Sequence, residues 1–153
     1  MKKKRMFKPT VFLWAACLIA AFSCNRPTYS LQSPPADHLV FGSGGGFTGA
    51  VTEYYVLPDG QLFLVDGLQK DTTALEPIKR KQAKEIVAQC QALNLREQAI
   101  QQPGNRYYFI RQGTVDGIVE ATWGAAGYTP PTAVTDFYQE LMNLVKQDET
   151  ETD

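Results

Sequence analysis

Phe41–Val65 reads FGSGGGFTGAVTEYYVLPDGQLFLV, and the job assigned to its glycines decides the fold. Gly44, Gly46 and Gly49 match G-x-G-x-x-G, but a dinucleotide fingerprint needs its glycines to leave a strand and open a helix whose N-terminus faces the pyrophosphate. Here Thr48–Leu57 follows, rich in Thr, Tyr and Val as a strand should be. Pro58-Asp59-Gly60 then makes a turn: Pro presets φ, Asp bonds locally and Gly accepts a positive φ. A phosphate-binding Walker loop needs Lys and Ser or Thr after the last glycine, where Ala50 and Val51 stand. Two readings remain. Gly42, Gly44, Gly45 and Gly46 supply positive φ and close backbone approach in a bulged hairpin loop whose ends Phe41 and Phe47 pin. Alternatively, Gly44, Gly45, Gly46 and Phe47 form a flexible binding loop facing a peptide or glycan.

Working outward, His38–Phe41 is a short apolar strand before the glycines, and Gln61–Val65 returns after the turn. Ala83, Ile86, Val87, Cys90 and Leu93 recur at helical spacing within Ile78–Leu93, with charges on the other side. The helix start is ambiguous between Thr73 and Glu76, which have capping-box spacing ahead of Pro77. The second half repeats the order. Arg106–Arg111 is an aromatic strand, Gln112-Gly113-Thr114 turns it back, and Val115, Gly117, Val119, Ala121 and Trp123 alternate with Asp116, Ile118, Glu120 and Thr122, which mostly face water. Val134, Phe137, Tyr138, Leu141, Leu144 and Val145 stripe a second helix that begins at Thr129 or Thr132. The pattern predicts an α+β domain: an antiparallel sheet of four to five strands with two helices packed on one face, in ββ(β)α-ββα order.

The N-terminus carries a different signal. Lys2, Lys3, Lys4, Arg5 and Lys8 precede an apolar run, Val11–Phe22. As a helix that run reaches roughly 18 Å, well short of the roughly 30 Å of a bilayer core, so residues 1–23 read as a secretory signal. Ala21-Phe22-Ser23-Cys24 resembles the lipobox of bacterial lipoproteins, plain secretion being the alternative. The resemblance implies that Cys24 becomes a lipidated N-terminus, and two or more acyl chains anchor a protein stably where one does not. Residues 24–37 then hold the lipid and an extended proline-rich tether, 38–146 form one domain, and 147–153 are an acidic disordered tail. Asn25 after the cysteine, with no acidic run following, points to an outer-membrane protein facing the periplasm.

Loss of the leader removes five of the fifteen Lys and Arg and none of the sixteen acids, leaving a formal balance of −6. Without a basic stripe to neutralise phosphates, nucleic acid is not an expected partner. Lys79-Arg80-Lys81 with Lys84 reads as a solvated face. After Cys17 is lost and Cys24 is lipidated, Cys90 stands alone, buried on its helix and without an intramolecular disulfide. No metal or cofactor is expected: His38 is the only histidine, and with Asp37 and Ser43 it makes neither a zinc cluster nor a catalytic triad. Glu53, Asp66, Asp116 and Glu120 are the carboxylates available for glycoside chemistry, but their spacing fixes no pair. Tyr54, Tyr55, Tyr107, Tyr108, Trp123 and Tyr128 serve either as cross-strand cover or as a stacking platform for a ligand.

FGSGGGFTG, TEYYVLPDGQLF, Pro103-Gly104-Asn105 before Tyr107-Tyr108-Phe109, and Ala121-Thr122-Trp123-Gly124 ahead of Pro130-Pro131 resemble small lipoproteins of Bacteroidota that lack an assigned function. The resemblance spans most of residues 38–146 and implies an envelope location and a hairpin-helix layout, without catalytic residues. The expected function is a lipid-anchored, non-enzymatic binding or scaffolding module whose partner, an envelope protein or a glycan, the sequence does not name, marked by an exposed apolar or aromatic patch around the glycine loop. A glycan or small-ligand binder would instead show a concave pocket lined by tyrosines, and an envelope enzyme would need convergent polar groups in such a pocket.

Overall fold

The computed structural model describes residues 29–149; the signal segment, Cys24 and residues 150–153 lie outside the described part. In chain order come β1 (Leu39–Gly45), β2 (Val51–Val56), β3 (Leu62–Asp66), β4 (Asp71–Leu75), α1 (Arg80–Ala92), a short α2 (Leu95–Gln98), β5 (Gln101–Gln102), β6 (Arg106–Thr114), β7 (Gly117–Trp123) and α3 (Thr132–Glu149). The strands form one sheet in the order β4-β3-β2-β1-β6-β7-β5. Every neighbouring pair is antiparallel except β5 with β7. β1 therefore sits at the centre, between the two halves of the chain.

The register explains the core. Phe41 stands opposite Tyr54 and Ile110, Ile110 opposite Ala121, and Leu39 opposite Val56. These residues share one face, and α1 and α3 close it with Ala83, Ile86, Cys90, Val134, Phe137, Tyr138, Leu141 and Val145. The expected α+β architecture, with both long helices on one face, is the one observed. Burial pushes the Cys90 thiol up to about 12, as an apolar environment does by penalising the thiolate.

Several boundaries differ from the sequence expectation. The sheet has seven strands rather than four to five. One addition is β4, where Thr73 pairs with Leu64 instead of capping a helix. The segment is short and its residues Asp71–Ala74 are exposed, so it carries no inward apolar period to betray it. The helix starts later, at Arg80, after the Ile78 N–H has bonded to the Gly60 carbonyl at 2.9 Å. β1 runs through the glycines to Gly45, and β6 continues to Thr114, so the second hairpin turns at Val115-Asp116 rather than at Gln112-Gly113-Thr114. Val115 is consequently exposed. The α3 backbone continues past Lys146 to Glu149.

The two ends of the sheet are unlike. Leu57–Gln61 closes one end as foreseen, with the Gly60 N–H on the Leu57 carbonyl and the Gln61 N–H on Asp59 Oδ1. The N-terminal segment lies at this end. From Tyr29 on it is not an extended tether: the Tyr29 N–H meets Asp59 Oδ2 at 3.3 Å, Ser30 bridges Ser33, and the His38 N–H bonds to Pro35. The opposite end carries the β1–β2 turn and the β3–β4 turn, joined where the Gly67 N–H donates to the Val51 carbonyl.

Candidate functional site

The glycines divide into two kinds. Gly42 and Gly44 are strand residues opposite Phe109 and Tyr107 on β6. A Cβ built on Gly42 would come within 1.9 Å of the Thr52 backbone carbonyl, with Phe109 Cζ also near at 3.1 Å, and one on Gly44 within 2.6 Å of the Tyr107 hydroxyl. Gly42 thus admits the close approach of β2, and Gly44 makes room for a ring of the facing strand. Gly45, by contrast, has φ +89° and a Cβ position 2.1 Å from the Asn105 carbonyl, so only glycine fits there. The turn proper is Gly46–Gly49, closed by the Gly49 N–H on the Gly46 carbonyl and tied to the neighbouring loop by the Gly46 N–H on Asn105. Phe41 and Phe47 do not pin a loop: Phe41 is a core residue, and Phe47 projects from the turn with 107% relative exposure.

Beside this turn lies a cleft of about 270 Å³ lined by Ser43, Gly44, Gly45, Thr52, Arg106, Tyr107 and Tyr108, among others. Thr52, Ser43, Tyr108 and Trp123 form a single cross-strand row on the helix-bearing face. Next along it is a second cleft of about 220 Å³, lined by Tyr108 and Trp123 from the sheet and by Thr135, Tyr138 and Gln139 from α3. Tyr108 lines both and is 43% exposed. Behind it, Trp123 and Tyr138 are buried at ring separations of 6.1 and 5.6 Å from Tyr108, and they meet each other edge-on at 5.3 Å. Tyr138 also donates its hydroxyl to the Gly42 carbonyl at 3.1 Å. Burial, then the neighbouring Tyr108 and Tyr54, raises its pKa, which keeps it a neutral donor. Tyr108 is thus held by two rigid partners while one side stays open.

The other sites named from sequence separate. The register splits the aromatics, with Tyr54, Tyr108 and Trp123 on the helix face and Tyr55 and Tyr107 on the reverse, so they form no single platform. Glu53 and Glu120 do meet on the reverse face, through Arg111: Nη1 lies 2.6 Å from Glu53 and Nε 2.5 Å from Glu120. Burial alone would raise the Glu120 carboxyl, but hydrogen bonds from Thr122 and Arg111 bring it below the usual carboxylate value. Burial and the Glu53 contact push Tyr55 up to about 12. Two carboxylates sharing a guanidinium are an ion-pair network rather than an acid and base pair. Asp66 instead accepts the Leu68 and Gln69 N–H groups in the β3–β4 turn, and Asp116 is exposed in the β6–β7 turn. His38 bonds to the Pro35 carbonyl through Nδ1 and covers Gly113.

Sequence reasoning missed Arg106, Ser43 and Thr52 as one group. The available signal was the register, since a β1 continuing through the glycines places Ser43 opposite Tyr108. No helix among the described residues is long and apolar enough to cross a membrane. Neither a family model nor a curated protein matches this chain.

Proposed function

We propose that this protein is a non-enzymatic binding module of the bacterial cell envelope, tethered through lipid on Cys24, whose ligand is a glycan taken into the paired clefts at Tyr108. The observation that carries the reading is the open side of Tyr108, backed by buried Trp123 and Tyr138, with Ser43 beside it and Thr52 one strand further along the cleft. Saccharides present an apolar C–H face beside hydroxyls, and a rigid aromatic beside hydroxyl side chains complements both. The tether reading draws on the lipobox-like tetrapeptide and on the resemblance to Bacteroidota lipoproteins. The chain enters at Tyr29, at the end of the sheet opposite the glycine turn, so a tether there leaves the clefts unobstructed.

Glycan-array binding by the full-length chain in detergent tests the ligand class. The expected result is saccharide binding that Tyr108→Ala removes; its persistence in that variant would overturn the site. Cys24→Ala is expected to abolish acylation and release the protein from membrane fractions, and intact mass checks it. A second reading, docking of an envelope protein, is favoured by the full exposure of Phe47. Phe47→Ala separates the two, because it would abolish protein capture and leave saccharide binding intact.

A further inference from the structure

Resting on that reading, we propose that the clefts select an acidic saccharide, one bearing a carboxylate, and that Arg106 is the residue that reads the charge. Arg106 stands opposite Gly45 at the mouth of the larger cleft. It is exposed, and among the described residues it makes no ion pair. No carboxylate lines either cleft. The nearest acid along the row is Asp66, opposite Thr52, and its Oδ1 is committed to the Leu68 and Gln69 N–H groups.

The glycine turn packs alongside this cation. A Cβ at Gly46 would sit 3.9 Å from Arg106 Cγ and Nε, so the turn runs alongside the side chain. Gly46 is also hydrogen-bonded to Asn105, immediately before Arg106. A guanidinium binds a carboxylate through paired N–H donors in a fixed fork, which a neutral sugar cannot match. Arg111 shows the contrast within the same strand, since its guanidinium is already taken by Glu53 and Glu120. Tyr108 would hold the sugar ring, Ser43 and Thr52 its hydroxyls, and Arg106 its carboxylate.

The test is titration calorimetry of the full-length protein in detergent with a galacturonic acid trisaccharide, the same trisaccharide methyl-esterified at every carboxyl, and a tripeptide with a free C-terminal carboxylate. The acid is expected to bind at least about fivefold more tightly than the ester. Arg106→Gln should bring the acid down to the level of the ester and leave the ester unchanged. Raising salt should weaken only the acid. Equal binding of acid and ester, or tripeptide binding as strong as that of the acid, would overturn the acidic selection while leaving the saccharide cleft to be judged by Tyr108→Ala. Binding of none of the three would overturn the acidic selection, while the glycan array decides the saccharide reading separately.

Discussion

The two faces of the sheet solve burial in opposite ways. On the helix face, Phe41 is buried by side chains from two helices and stacks on Tyr54 at 5.3 Å. On the reverse face, turned away from the two long helices described, Phe109 is also 0% exposed. Gly42 stands opposite it on β1, and the Arg111 guanidinium covers the ring, 4.1 Å from its centroid. Glu53 and Glu120 fix that guanidinium from both sides. A charged group lies over this ring, with a cation–π contact beneath and carboxylates beside it. The contrast, among the described residues, is between an aromatic covered by apolar helix side chains and one covered by a paired guanidinium.

The most demanding test of this comparison is to empty each face in turn. Phe41→Ala and Phe109→Ala are each expected to cost about 3 to 5 kcal/mol by chemical denaturation, the range for a buried aromatic truncation. If Phe109→Ala cost under about 1 kcal/mol, the charged cover would not constitute burial.

Glycine substitutions come next, because they ask whether the rings need the space. Gly44→Ala and Gly45→Ala are expected to lose about 1 to 2 kcal/mol each, the first by displacing Tyr107 and the second through its left-handed φ and the Asn105 carbonyl. Gly46→Ala, whose Cβ would make only an ordinary contact with Arg106 but which is also at positive φ, should lose about 1 kcal/mol. Pairing Gly44→Ala with Tyr107→Ala should recover part of the loss, and strict additivity would show that ring and glycine do not depend on each other.

Arg111→Ala should cost about 1 to 2 kcal/mol, since it uncovers Phe109 and leaves two half-buried carboxylates facing one another. Arg111→Lys restores charge without the fork and should recover little of it.

The smallest effect is in acid. The folded pKa of Glu120 lies below its unfolded value, so its contribution is present above the unfolded value and disappears as pH falls through the folded one. Stability measured from pH 6 to pH 3 should therefore fall less steeply in Glu120→Gln than in the parent. Equal slopes would mean that Glu120 gains nothing from Arg111.

The legible and illegible parts of this molecule follow the same division. Helical periods at Ala83–Cys90 and Val134–Val145 and the alternation Val119, Ala121, Trp123 were readable because each buries against one apolar face. The Pro58-Asp59-Gly60 turn was readable because each residue has a local role. β4 was not, since an exposed edge strand needs no apolar pattern. Nor was the extent of β1, because glycines within a strand look like loop until the ring on the neighbouring strand is known. The reverse-face ion network depends on Arg111 standing opposite Glu120 and one row from Glu53 on the same face, which only the register supplies. The cleft has the same origin: Ser43, Tyr108 and Trp123 are far apart in the chain and adjacent in one row.

The Tyr29–Asp59 contact has a mechanical consequence. It pins the chain at the Leu57–Gln61 end, and β1 then advances at about 3.4 Å per residue, so Gly45 stands about 20 Å beyond Leu39. The stiff sheet therefore carries the glycine turn at a set distance from Tyr29, so that a probe at Phe47 and one at Tyr29 report opposite ends of one rigid body.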